Sequence, residues 1–165
     1  MNGRKRRRAL QIIGAFLILC SALLVAQRML SEVEISLERA CALREVLEHI
    51  KNMIECYSLP IGQILERLDP SVLKGCGYFG ENAPRDLFEL VEKSEILDKE
   101  TLDIFSAFAK EFGKGYRQDE LLRCGAFLDR MRVREQKIGK ELAKKKRVIP
   151  TVAVCSALAV IILLV

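Results

Sequence analysis

The sequence predicts an all-α protein: a compact bundle of about six helices between an N-terminal and a C-terminal transmembrane segment. Three observations carry that prediction. Both ends combine a basic cluster with an uncharged apolar stretch; the middle repeats apolar residues every three or four positions; and Asp, Pro and Gly punctuate that repeat at helix-length intervals. No alternating pattern of the kind a half-buried strand requires interrupts it.

At the start, Arg4, Lys5, Arg6, Arg7 and Arg8 form a basic flank, residues 1–8, ahead of an apolar segment at 9–26. A basic region before an apolar one also describes a signal peptide. At the segment's end, neither Ala22-Leu23-Leu24 nor Val25-Ala26-Gln27 gives a convincing small-x-small cleavage site, so an uncleaved anchor is favoured. The other end mirrors this: Lys144, Lys145, Lys146 and Arg147 precede the apolar segment 148–165. Its 18 residues would reach about 27 Å as a helix at ~1.5 Å per residue, against a hydrocarbon core of roughly 30 Å.

Between the anchors lies a helical domain, residues 27–147. Ser31 with Glu34 reads as a capping box that opens a long helix ending near Ser58, before Pro60. Its inward seam is Val33, Ala40, Leu43, Leu47, Ile50, Ile54 and Tyr57. A short helix follows at 61–68. Asp69 before Pro70 opens a third, and Gly75, Gly77, Gly80 and Pro84 mark a loop. A fourth helix at 84–93 places Leu87, Leu90 and Val91 together. Asp98 caps a fifth, carrying Leu102, Phe105, Phe108, Ala109 and Phe112. After Gly113, Lys114 and Gly115, the last helix begins near Arg117, with the seam Leu121, Cys124, Leu128, Met131, Glu135, Ile138 and Leu142. With the long first helix it makes an antiparallel pair; the first helix's seam is read as one wall of a bundle large enough for a single core, with a short coiled coil as the alternative.

Charge is segregated along the chain. Residues 27–113 carry 10 basic and 17 acidic side chains, whereas residues 114–147 carry 12 basic and 5 acidic. The overall +5 therefore reflects two membrane flanks more than a basic face. A nucleic-acid partner would call for basic residues interleaved with base-reading groups on a folded surface, and none is expected here.

Sidedness follows from the same charges. A cytoplasmic domain keeps Arg28, Arg39, Arg134, Lys137, Lys140, Lys144, Lys145, Lys146 and Arg147 inside and leaves five bases outside; the reverse topology strands nine. The positive-inside rule favours the first arrangement, while translocation of Arg4, Lys5, Arg6, Arg7 and Arg8 opposes it.

No catalytic grouping emerges. His49 is the only histidine and has no spaced nucleophile. The glycines around Tyr78 and Phe79 lack a following GK[ST], so a turn is expected rather than a phosphate loop. The six cysteines include no CxxC pair, which argues against zinc. Cys41, Cys56, Cys76 and Cys124 are expected as buried thiols, with two disulfides as the alternative for an exported domain. Glu135 is an acid on an apolar seam: either it pairs with a base such as Arg132 or it marks an interaction site. No cofactor, metal or small-molecule substrate is expected.

The order of features resembles the stage III sporulation protein AB family of endospore-forming bacteria. The resemblance rests on the N-terminal apolar segment, the long helix ending before a Pro-containing turn, and the stretch Phe105, Phe108, Phe112, Gly113. It is completed by the charged last helix closing on Ile161, Ile162, Leu163, Leu164 and Val165. This chain departs from the family pattern at Tyr116 and Glu120, and at Ile149, Pro150 and Thr151, where the family's last segment opens glycine-rich. The resemblance implies a non-enzymatic scaffold in the mother-cell membrane around the forespore. It further implies a helical domain like the cytoplasmic domains of type II secretion and type IV pilus platform proteins. Such a domain would dock a cytoplasmic secretion-type ATPase of the same operon and other stage III AA–AH-type proteins. Lys114, Tyr116, Arg117 and Glu135 are the candidate contacts. An exported, membrane-anchored helical domain is the second reading, and a small membrane enzyme using His49 or Glu135 the third.

Overall fold

The computed structural model describes residues 2–57, 59–96 and 98–164; the side chains of residues 2–12, 15, 161, 163 and 164 lie outside the description. Six helices follow in order: α1 (Asn2–Tyr57), α2 (Ile61–Glu66), α3 (Pro70–Gly75), α4 (Leu87–Glu92), α5 (Lys99–Glu111) and α6 (Arg117–Leu164). Among the described residues the only β-type pairing is an isolated antiparallel bridge between Tyr78 and Ser94. The all-α expectation is met.

The chain divides into two compact units, residues 1–34 with 140–165, and residues 35–139. In the larger unit, α1 contributes Ala40, Leu43, Val46, Leu47 and Ile50 to the core, all fully buried. Ile64 and Leu65 of α2 and Leu90 of α4 join them. The short helices thus serve as lids over the long pair. From α5, Phe105 and Phe108 enter the core, and Phe108 meets Phe127 of α6 edge-on at 5.4 Å between ring centroids. Such aromatic pairs add about 0.5–1.5 kcal/mol beyond the area they bury.

Three aspartates set the starts of the short elements. Asp69 accepts from the Ser71 N–H, Asp86 from the Glu89 N–H, and Asp98 from the Thr101 N–H, each at 2.8 Å. Each cap satisfies an otherwise unpartnered donor and contributes about 1 kcal/mol. The caps at Asp69 and Asp98 are those the sequence marks. The fourth helix starts later than expected, at Leu87, because Asp86 is the better cap and Glu89 reaches back to the Arg85 N–H. The second ends at Glu66 instead of residue 68.

The start of α1 corrects a larger expectation. Ser31 is not a helix cap: its hydroxyl donates to the Arg28 carbonyl within the helix, at 2.9 Å. Nothing between residues 26 and 31 breaks a helix, and serine inside one can bond to the preceding turn. The apolar segment and the domain's first helix are therefore a single element. Its expected end at Ser58 lies outside the described residues. Tyr57, expected on the seam, is exposed.

In the smaller unit, the first part of α1 and the last part of α6 lie side by side and antiparallel. Ala26 and Ala157 are buried where they touch. Within α1, from Phe16 onward, an 18-residue window of mean hydropathy 1.6 is long and apolar enough to cross a membrane. Pro150 sits inside α6, where it removes the N–H that would bond to the Lys146 carbonyl. One residue on, the Thr151 hydroxyl donates to the Arg147 carbonyl at 3.0 Å.

Candidate functional site

Three groups of residues were marked by the sequence: the basic flanks, the turn before α6, and Glu135. The first belongs to the smaller unit. Lys144, Lys145, Lys146 and Arg147 are all exposed on α6. Lys146 pairs with Glu34 of α1 at 2.7 Å. Arg28 lies 3.9 Å from Glu32, its neighbour one turn on. The side chains of Arg4, Lys5, Arg6, Arg7 and Arg8 lie outside the described residues. Next to the basic cluster, α1 and α6 enclose an apolar groove of about 540 Å³, running from Ile18 to Met29 on α1 and from Val148 to Val160 on α6.

The second group forms one end of the larger unit. Gly113 takes a left-handed conformation (φ +82°) that stops α5, and α6 starts four residues later. Lys114 and Tyr116 project from this turn, Tyr116 being 86 % exposed. Arg117 points the other way. Its guanidinium donates to the Ile54 carbonyl at 3.0 Å and to the Glu55 carbonyl, capping the C-terminal end of α1. A cation there satisfies orphan carbonyls and meets the negative end of the helix dipole. Arg117 thus fastens the turn and leaves Lys114 and Tyr116 to face outward.

Glu120 fixes the same turn; it stood out in the sequence only as a departure from the family pattern and was not among the candidate contacts. It is buried, accepts from the Gly115 N–H at 2.9 Å and from Arg123 at 2.6 Å, while Arg123 also donates to the Glu111 carbonyl. The available signal was an acid in the first turn of a helix just after Gly-Lys-Gly.

Glu135 is half-buried between α1 and α6. It pairs with Arg44 at 2.9 Å and accepts from the Cys41 thiol at 2.8 Å. Its base is therefore Arg44; Arg132, the expected partner, reaches Glu48 and Asp129 instead. The reason is register: Arg132 sits on the outer edge of α6, at 55 % exposure, while Arg44 reaches across from α1. A parallel cluster joins α5 to α6, with buried Arg134 held by Asp98 and Glu100.

The chemistry available to these groups is limited. His49 Nε2 lies 3.2 Å from the Ile64 carbonyl, so it donates there and ties α1 to α2. All six cysteines are free thiols; of the four expected to be buried, Cys76 and Cys124 are, whereas Cys41 is half-buried and Cys56 is exposed. Burial pushes the Cys76 thiol up to about 12, aided by the Glu45 charge. Burial also raises Cys124 to about 11, with the Glu120 charge adding to it. Cys41 is raised to about 11 by burial and then by its Glu135 hydrogen bond. A thiol held so far above neutrality is a poor nucleophile. Among the described residues no group of three or more His, Cys, Asp or Glu side chains is placed to hold a metal ion.

Searches of curated proteins and of solved structures return no match. A family model does match, described as stage III sporulation protein AB, and it covers residues 11–165. Nearly the whole chain is included, from the first apolar helix through the helical bundle to the last apolar residues of α6. The chain therefore belongs to the stage III sporulation protein AB family, whose place is stage III of sporulation.

Proposed function

We propose that this protein is a non-enzymatic scaffold of the channel complex between mother cell and forespore. Two spans anchor it: residues 9–26 and residues 148–165. The first is supported by the apolar window of α1, which from Phe16 onward has the length and hydropathy of a membrane helix. The second is an uncharged apolar stretch behind four consecutive bases, and it lies alongside the first. The helical domain faces the cytoplasm of the mother cell, where it docks a secretion-type ATPase of the same operon and other stage III AA–AH-type proteins.

The observation that carries this reading is the turn before α6. Tyr116 is an exposed aromatic on a turn fixed from below by Arg117 and Glu120, with Lys114 beside it. Rigid, exposed aromatics are typical anchors of protein interfaces. The test is co-purification of the ATPase with the full-length protein from sporulating cells. Tyr116→Ala with Lys114→Glu is expected to lose the ATPase without loss of folding, whereas Arg132→Ala keeps it. Retention of the ATPase by the turn variant would sink this docking surface.

Sidedness is tested on Cys56, an exposed thiol near the same end. An impermeant maleimide is expected to label Cys56 only after the mother-cell membrane is opened. Labelling before that step would instead support an exported domain, the reading favoured by Arg4, Lys5, Arg6, Arg7 and Arg8.

A further inference from the structure

The groove between α1 and α6 has a chemistry that the scaffold reading leaves unused. On α1 it is lined by Ala22, Val25 and Met29, and on α6 by Ile149, Val152 and Ala153, with further apolar and small residues toward Ile18 and Val160. Its two serines do not make it polar. Ser21 donates to the Ile18 carbonyl at 2.9 Å and Ser156 to the Ala153 carbonyl at 3.0 Å, so both hydroxyls are turned onto their own helix. From Ile18 to Met29 the groove extends about 16 Å at ~1.5 Å per residue, roughly half of a ~30 Å hydrocarbon core. That is the depth of one leaflet.

One end of the groove is charged. Lys144 and Lys145 stand four residues before Val148 and Ile149, the lining residues at that end, and so share their side of the helix. Of the nearby acids on α1, Glu34 is paired with Lys146 and Glu32 with Arg28; Glu141, one turn earlier on α6, is exposed and forms no ion pair with either lysine. Lys144 and Lys145 have no acidic partner among the described residues. An apolar trough one leaflet deep, with two uncompensated ammonium groups at its mouth, is complementary to one class of molecule.

We propose that the groove holds a single anionic phospholipid, its acyl chain along Val25, Met29, Val152 and Ala153 and its phosphate between Lys144 and Lys145. The proposal rests on the two-span reading above. It adds a ligand class and a site: the protein selects anionic lipid at this groove rather than tolerating any lipid around it.

The chain contains no tryptophan, so single reporters are unambiguous. The full-length protein is reconstituted in phosphatidylcholine vesicles carrying a minor fraction of brominated phosphatidylglycerol or brominated phosphatidylcholine. Val152→Trp reports the groove; Leu24→Trp reports the outer surface of α1, where Leu24 is exposed and does not line the groove. Val160→Trp, at the groove's other end, replaces Val152→Trp if that variant loses its helical circular dichroism.

At Val152→Trp, brominated phosphatidylglycerol is expected to quench at about fivefold lower mole fraction than brominated phosphatidylcholine, the factor one lysine supplies at a membrane surface. At Leu24→Trp the two lipids are expected to quench alike. Adding Lys144→Gln and Lys145→Gln is expected to erase the preference at the groove. Equal quenching by both lipids at Val152→Trp overturns the proposal. Shielding of Val152→Trp from both, with Leu24→Trp still quenched, overturns it in favour of a helix from another subunit in the groove. If neither reporter is quenched, the two-span reading itself falls.

Discussion

Asp98 serves two elements with one carboxylate: it caps α5 through Thr101 and holds Arg134 of α6. Burial raises its pKa, but the Arg134 hydrogen bonds, the Thr101 hydroxyl and N–H, and the Arg134 charge outweigh that and hold it at about 2. A depressed folded-state pKa stabilises the fold above the unfolded value and is lost as pH falls toward the folded one. The window is therefore from pH ~4 down to ~2, and the loss about 2 kcal/mol. Urea unfolding of the full-length protein in detergent is expected to show that loss, and Asp98→Asn to remove it. Glu135 gives a contrast between a sheltered pair and an exposed one. Glu135→Ala is expected to cost about 1–3 kcal/mol, because it leaves part-buried Arg44 with Glu48 alone and the Cys41 thiol without its acceptor, whereas Arg132→Ala stays within about 0.5 kcal/mol. Equal effects would mean that the two ion pairs are alike in shelter. The sequence marked both Asp98 and Glu135, one as a cap and one as an acid on a seam. It did not identify Arg44 as the partner of Glu135, because that contact joins residues 91 positions apart and depends on the register between two helices.

At the scale of the element, what was legible depended on whether the signal was local. Asp69, Asp98 and Gly113 act on their own turn, and the structure uses each as the sequence suggests. Ser31 failed because capping requires a chain that is not already helical on the preceding side, and residues 26–30 offer no reason for a break. The loop after α3 adds a second kind of constraint. Gly77 has φ +76°, and a Cβ there would stand 3.0 Å from the Arg39 guanidinium carbon, which is itself held by Glu95. Gly113 has a similar conformation but open space around it. Gly77→Ala is therefore expected to destabilise by about 1–3 kcal/mol, and Gly113→Ala by about 1 kcal/mol, in the same unfolding assay. A smaller loss at Gly77 than at Gly113 would show that Arg39 yields easily and does not brace the loop.

For the molecule as a whole, composition and periodicity were enough to reach an all-α fold, because apolar spacing reports which face of each helix is buried. They could not show where one compact unit ends and the next begins, since α1 and α6 each supply residues to both. The two units are stabilised by different means. Residues 35–139 bury aromatic and aliphatic side chains around Phe105 and Phe108, whereas the apolar helix pair of the other unit exposes Phe16, Leu17, Leu24, Val152 and Ile162. In water such a surface is unfavourable; in lipid it is the ordinary one, and the surrounding hydrocarbon keeps the backbone hydrogen bonds closed. Phe108→Ala should separate the two kinds of stability. Removing a buried phenylalanine costs about 3–5 kcal/mol, a large share of the 5–15 kcal/mol that typically holds a domain. In hydrogen exchange on the protein in bilayers, that variant is expected to raise exchange throughout residues 35–139. On the two-span proposal, residues 16–26 and 148–160 are expected to keep wild-type protection, because lipid and not the Phe108 core would exclude water from them. A rise of the same size in both regions would show instead that the chain opens as one cooperative body, with the apolar helix pair depending on the bundle for its stability.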